Sequence, residues 1–401
     1  MRRLTRLFTA DFAENSYISD FISLFLCKTR KCIMFIYKKQ DWPKFSWDNE
    51  YLLPKIGEVR NLQGRILGFM KSLGFELKSQ ANFEMLTLDI LKSNEIEGEI
   101  LNREEVRSSL ARRLGMDMAG LIPSARNVDG VVDMMVDALQ NNGMEISEER
   151  LCSWHSALFP SGRSGLYKIS VGQYRTDSSG PMQVVSGAMG KEKVHFQAPS
   201  SDILKKEMDL FIDWFNTETQ NDLVLKAGIA HLWFITIHLF EDGNGRIARA
   251  LTDLLLSRSD GIVQRYYSMS SQILLDRKAY YGILEKSQKG TLDITMWLDW
   301  FIDCLKKSLH SSDEVLSKVM AKAKFWNKYS TESFNDRQVL MLNKLLDDFF
   351  GKLTSKKWAK ICKCSTDTAL RDIQDLIKKE ILKKESAGGR STNYEMVWNK
   401  G

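Results

Sequence analysis

Twelve consecutive residues gather more reactive chemistry than any other stretch of the chain: His238-Leu239-Phe240-Glu241-Asp242-Gly243-Asn244-Gly245-Arg246-Ile247-Ala248-Arg249. Gly243 and Gly245 permit a tight turn that exposes backbone N–H groups where an amphipathic helix begins. A helix start carries free donors and partial positive charge, which together attract anions. Arg246 and Arg249 are three residues apart on that helix, so both address one polyphosphate from one side. Asp242 offers a hard oxygen suited to Mg2+ beside such phosphates. His238 is the neighbouring group that takes a proton near neutral pH. These are the parts of a phosphate-transfer site.

The loop resembles the signature of the Fic (Fido) family, His-x-Phe-x-(Asp/Glu)-Gly-Asn-Gly-Arg-x-x-Arg, at all eight specified positions. Leu239 stands where many members have proline, which bears on loop stiffness more than on chemistry. The resemblance implies transfer of a nucleotide monophosphate, usually AMP from ATP, to a Ser, Thr or Tyr hydroxyl of a target protein. On that reading His238 deprotonates the acceptor and Asp242 holds Mg2+. Amides of Gly243 and Gly245, with the Asn244 side chain, steady the transferring group, and Arg246 and Arg249 bind the departing diphosphate. Val185, Ser186, Gly187 and Ala188 then resemble the family flap, which clamps a target segment by strand addition. Tyr280 and Gln288 resemble its adenine-side contacts, although many members carry Asn at the second.

Ser93-Asn94-Glu95-Ile96-Glu97-Gly98 resembles the family's inhibitory motif, (Ser/Thr)-x-x-x-Glu-(Gly/Asn). Ser93 and Glu97 are i,i+4 on one helix face, and Gly98 suits a helix end. The resemblance implies a Glu97–Arg249 pair that takes the space of the γ-phosphate and leaves ATP unsuited to in-line attack. Two other readings stay open. The same site could remove AMP from a modified protein or transfer another phosphate-bearing group. From a different class, the chain would be a DNA-binding regulator whose domain senses nucleotide without transferring anything.

Several elements must position these residues. The spacing predicts helices at 103–114 and 127–141, and another running from Phe83 into the Ser93 motif. Gly-punctuated, β-prone pieces between 167 and 199 predict a hairpin. Helical periodicity returns from Ser201. The stretch Leu225–Ile237, apolar nearly all round, predicts a buried central helix that stops at His238. All six prolines lie before residue 200, which favours a helical second half.

The 401 residues make two or three domains at roughly 150 residues each. Hydrophobic content of 43% with 27% charged residues excludes a disordered or collagenous chain. The six cysteines are scattered without a CxxC pair, which argues against structural zinc or a disulfide scaffold and for a reducing cytoplasm. No apolar run reaches the roughly 20 residues of a membrane span. Residues 1–33 read as a poorly specified extension.

The net charge of +6 is uneven, because residues 351–401 hold 12 Lys/Arg against 6 Asp/Glu. A basic tail on a mildly acidic body points to an anionic partner for the tail. Its pattern predicts a winged helix over 335–401, with helices near 337–346 and 354–362 and a third from Ser365 striped by Leu370, Ile373 and Ile377. Thr366, Thr368 and Arg371 would face a DNA major groove, while Lys356, Lys383, Lys384 and Arg390 contact phosphates. A module for protein contacts or a homodimer is the alternative. The expected whole is a mainly α Fic-type helical bundle with a β-hairpin flap and a C-terminal winged helix. Its parts are a helical region at 34–125, a catalytic domain at 126–310 and a linker helix at 311–334.

Overall fold

The computed structural model describes residues 34–116, 118, 120–178, 180–186, 191, 193–346, 349, 351–385 and 392–397. Residues 1–33, Gly187 and Ala188 of the expected flap, and Arg390 at the hairpin tip lie outside them. Within the described residues the chain is mainly helical. Helices α1 (Asn49–Ser72), α2 (Phe75–Ile96), α3 (Arg103–Leu114), α4 (Arg126–Gln140) and α5 (Glu148–Leu158) come first. Asp48, Asn102 and Ser147 cap α1, α3 and α5 by accepting backbone N–H bonds at their first turns. Strands β1 (Arg163–Ser164) and β2 (Tyr167–Lys168) form one small antiparallel pair. The expected hairpin is the second, β3 (Gln183–Ser186) against β4 (Lys193–Gln197), with Val184 opposite Phe196.

The second half continues with α6 (Leu204–Thr217), α7 (Leu223–Ile237), α8 (Asn244–Asp260), α9 (Met269–Leu275), α10 (Arg277–Gln288) and α11 (Thr295–Lys328). Helix α7 is buried along nearly its whole length, as its all-round apolar sequence requires. It packs on α6, α8 and α11. Trp297 of α11 donates its indole N–H to the Gly228 carbonyl at 2.8 Å. No described helix is long and apolar enough to cross a membrane, and the described cysteines at 152, 304, 362 and 364 are free thiols.

A buried charge cluster fixes α2 beside α8. Arg265, in the loop after α8, pairs with Asp253 at 2.7 Å and with Asp260 at 3.4 Å, all three nearly inaccessible. That loop and the start of α9 are tied to α2: Asn82 accepts from the Arg265 amide at 2.8 Å and Asp89 from the Ser270 amide at 3.2 Å. Burial and the neighbouring Asp89 carboxylate push the Asp253 pKa well up. These bonds bring the C-terminal turn of α2 over the start of α8.

Helix α11 is 34 residues long, about 50 Å at helical rise. Leu316 and Val319 belong to the first core and Phe325 to a second. The expected division at 310 is therefore no break in the backbone. Beyond it lie α12 (Asp336–Leu346), α13 (Ser355–Cys362), α14 (Thr366–Lys378), β5 (Leu382–Lys384) and β6 (Tyr394–Met396), the two strands antiparallel. Their core holds Trp358, Ile373, Leu376 and Tyr394. Leu370 does not join it. That side chain is exposed, and the buried stripe of α14 runs instead through Ala369, Asp372, Ile373 and Leu376, because Asp372 accepts two bonds from Arg337.

Replacing Arg265 with Met leaves Asp253 and Asp260 buried without their cation. The expected loss is about 3–5 kcal/mol, read as a lowered denaturant midpoint with an unchanged slope.

Candidate active site

The loop between α7 and α8 is locked from several sides. His238 ends α7 in the left-handed region at φ 52°. Arg175, whose side chain is fully buried, donates from Nε to the His238 carbonyl at 2.7 Å and from its own amide to the Leu239 carbonyl at 3.1 Å. Its other nitrogens reach Asp177 and the Pro199 carbonyl at the foot of the hairpin. Phe240 is buried and stacks on His155 with centroids 4.1 Å apart. Burial pulls the His155 pKa down to about 4, and its Nδ1 accepts from the Gly172 amide at 3.0 Å. Glu241 accepts from the Ser170 amide and hydroxyl at 3.2 and 3.1 Å.

Asn244 commits both ends of its amide to Phe240. Oδ1 accepts from the Phe240 N–H at 2.9 Å and Nδ2 donates to the Phe240 carbonyl at 2.7 Å. In the structure this side chain shapes the loop. Gly243 caps α8 with φ 81°, a conformation that favours glycine. Asp242 accepts from the Gly243 amide at 2.6 Å and from the Ser164 hydroxyl, and stays half-exposed. His238 is half-buried; burial, then the Arg175 guanidinium, pulls its pKa down to about 4. Its imidazole is therefore neutral at pH 7, free to accept a proton.

The two arginines lie inside the bundle, each about 2% exposed. Arg249 donates from Nε to Ser93 Oγ at 2.8 Å, and from Nη2 to the Ser93 carbonyl at 2.9 Å and Glu97 Oε1 at 2.7 Å. Burial works against the Arg249 charge, but Glu97, Tyr280 and Tyr281 together raise the pKa. The Glu97 carboxylate rests over Gly245, where any β-carbon would collide with Oε1. Helix α2 ends here in a reversal: Gly98, at φ 86°, bonds its amide to the Glu95 carbonyl, and the Glu99 amide returns to that of Asn94. That turn delivers Glu99 Oε2 to Arg246 Nη1 at 2.8 Å. Arg246 Nε and Arg249 Nη1 are buried without a hydrogen-bond partner.

The remaining sequence-derived residues sit close by. Tyr280 is buried, with its hydroxyl 2.9 Å from His231 Nε2, whose Nδ1 lies 2.9 Å from Thr252 Oγ1. The Gln288 amide donates to Thr236 at 3.4 Å. Val185 and Ser186 are exposed on β3, and Ser186 Oγ lies 2.5 Å from His195 Nε2. His195 Nδ1 in turn lies 2.7 Å from Glu285 of α10, so the hairpin is tied to the helix that carries Tyr280 and Gln288. Sequence reasoning missed Arg175, Glu99, Ser164 and His155. None falls in a periodic or motif pattern; only Glu99, two residues past the motif glutamate, carries a hint in its acidity.

The profile of the Fic/DOC family matches residues 145–256, which take in this whole loop. The chain carries a Fic/DOC-family domain. A profile described as a domain of unknown function (DUF4172) matches residues 35–116, including the Ser93–Gly98 turn. Among curated relatives, the chain is similar to Protein adenylyltransferase Fic of Drosophila willistoni, 35% identical over 104 residues, 25% of this chain and 19% of that one. It is also similar to the protein of that name from Nematostella vectensis, 29% identical over 115 residues, 28% of this chain and 25% of that one. The chain thus spans about a fifth to a quarter of these relatives. A crystal structure of a Fic family protein from Desulfovibrio desulfuricans G20 is similar at TM-score 0.48 and 20% identity, over 87% of this chain and 96% of that one. A Fic domain containing signaling protein from Bacteroides thetaiotaomicron VPI-5482 is similar at TM-score 0.47 and 21% identity, over 65% and 96%.

Removing the Arg175 charge takes away one of the two influences that depress His238. Arg175→Met is expected to move the His238 pKa from about 4 toward the ordinary 6.5, read by NMR titration of the ring. An unmoved titration would exclude the guanidinium as a cause.

Proposed function

We propose that the 238–249 loop transfers AMP from ATP to a hydroxyl of a target protein, and that Glu97 restrains it. One observation carries this reading: an imidazole, a carboxylate, two buried arginines and the amides of a helix start converge on one cradle, and Glu97 already fills part of it with negative charge. The orphaned Arg246 Nε and Arg249 Nη1 are donors suited to phosphate oxygens. In the proposed step the acceptor oxygen attacks the α-phosphorus and gives its proton to neutral His238. The bond between the α-phosphorus and the bridging oxygen breaks, and diphosphate leaves toward Arg246 and Arg249. The hairpin would align the target segment along β3. Positioning and preorganised charge supply most of the rate enhancement in such transfers.

Mg2+ fits the donors present. Asp242 is a half-exposed carboxylate at the cradle, and no cluster of three or more ligating side chains exists among the described residues. One carboxylate plus phosphate oxygens and water is the usual Mg2+ arrangement. There the ion would neutralise phosphate charge.

Glu97→Gly frees Arg249. A charged hydrogen bond contributes about 1.5–3 kcal/mol, so labelling by ATP is expected to rise roughly ten- to a hundredfold, while His238→Ala on that background is silent. Mass spectrometry after incubation with Mg2+ and each nucleoside triphosphate reads both, and equal labelling of wild type and Glu97→Gly removes the restraint. The acidic limb of the rate profile should fall near pH 4, because the step needs neutral His238.

We further propose that the tail is a winged helix that binds DNA. Thr366, Arg371, Lys356, Lys383 and Lys384 are exposed around α14 and β5, which supports this, whereas the Thr368 hydroxyl is engaged with the Ser365 cap at 2.9 Å. A gel shift on mixed genomic fragments should weaken steeply with added salt. Affinity indifferent to salt would count against it.

A further inference from the structure

Three carboxylates share one arginine beneath the second half of α2. Asp253 and Asp260 of α8 pair with Arg265, and Asp89 of α2 meets them from the other side, buried like both. Asp260 has further donors, Gln63 of α1 at 2.7 Å and the Tyr267 hydroxyl at 2.8 Å. Asp89 Oδ1 accepts from the Ser268 hydroxyl and the Ser270 amide, and Asp253 Oδ1 from Arg265 Nη2 at 2.7 Å. The second oxygen of each, Oδ2, is buried and receives no donor from the described residues. Yet the Asp89 and Asp253 side chains hydrogen-bond to each other. Ionised carboxylates only accept, so that bond needs a proton on one of them. Without it, two like charges would face each other in a low-dielectric interior. The other charges nearby are engaged elsewhere. Arg249, four residues before Asp253, is held by Ser93 and Glu97. His231 of α7 is neutral, its pKa pulled down by burial to about 3. The acids of α4 are taken by Arg113 and Arg150, while Arg107 of α3 and Lys322 of α11 lie with Glu84 at the other end of α2.

We propose that Asp89 and Asp253 share one proton across the α2–α8 interface, and that this acid pair is a clasp that loosens as pH rises. The clasp holds the helix whose end carries Glu97 and Glu99 onto the loop arginines. Its consequence for transfer rests on the restraint proposed above; the clasp itself does not. The sign follows from where the proton is held. With α2 docked, burial and the Asp89 charge keep Asp253 protonated well above the ordinary carboxylate range. With α2 undocked, both acids are solvated and ionise at their ordinary values, near pH ~4. The docked form thus binds one proton more. Its advantage is fully present below the ordinary range and is lost as pH rises through the raised value. Within that window the opening equilibrium grows about tenfold per pH unit.

Two measurements on the full chain test it. Infrared spectra with 13C-labelled aspartate should show a protonated carboxyl band at neutral pH that fades as pH rises. Amide exchange at Glu97, Gly98 and Glu99, whose N–H bonds close the turn after α2, reads opening once intrinsic exchange rates are divided out. Wild type should open progressively more from about pH 5 to about pH 9. Asp253→Asn puts a fixed N–H in place of the proton while its oxygen still accepts from Arg265, so opening should become flat with pH and the band should vanish. Asp89→Asn does the same from the other helix, and a thermal melt shows which variants are folded. A wild type without the band, opening that ignores pH, or folded Asn variants that keep the wild-type rise each overturn the clasp. Neither readout contains ATP. Labelling by Glu97→Gly protein, measured at one pH, survives a failed clasp and fails only with the transfer reading, so the two failures are distinguishable.

Discussion

A guanidinium buried in a helical bundle needs a carboxylate, and Arg249 meets one, Glu97, from a different helix. Much else follows from that requirement. Helix α2 must lie alongside α8, so the chain invests a second buried ion cluster, Arg265 with Asp253 and Asp260, and the polar ties from Asn82 and Asp89. A β-carbon at 245 would push the Glu97 carboxylate aside, because that carboxylate lies against the backbone there. The arrangement is strong only while both charges are present, since Arg249 alone would be a buried cation without compensation.

The loop itself is preorganised by side chains that hold its backbone and its Phe240 ring. Arg175 grips the His238 carbonyl, Asn244 grips Phe240, and His155 supports the Phe240 ring. Such support suits chemistry that depends on fixed dipoles, because a loop already in place reorganises little when charge shifts. Arg175 also joins the foot of the β3–β4 hairpin to the backbone at His238 through Pro199 and Asp177. The surface proposed to hold a target and the proposed base therefore share one buried side chain.

The helices were largely legible because apolar periodicity and caps are local signals. The helix at 103–114, the stop at His238 and the start at Asn244 all appear where pattern places them. The Fic/DOC-family domain was legible in the loop, where eight residue types at fixed spacing leave few alternatives. Arg175 was not, since a buried arginine in a glycine-punctuated stretch has no period, and its meaning comes from contacts 63 residues away. Glu99 escaped because helix spacing rules stop applying once Gly98 reverses the chain. Leu370 misled because an apolar residue one step from a stripe looks much like a member of it, and the rotation of α14 is fixed by contacts from a distant helix, among them Arg337 and Gln338 on Asp372.

That reversal at Gly98 would set the character of the proposed restraint. Glu97 and Glu99 hang from the same few backbone bonds, one on each arginine of the loop. Loosening the knot slackens both grips together, so intermediate degrees of release are disfavoured. Release would then come by threshold, like a latch with two teeth on one spring, instead of by degrees.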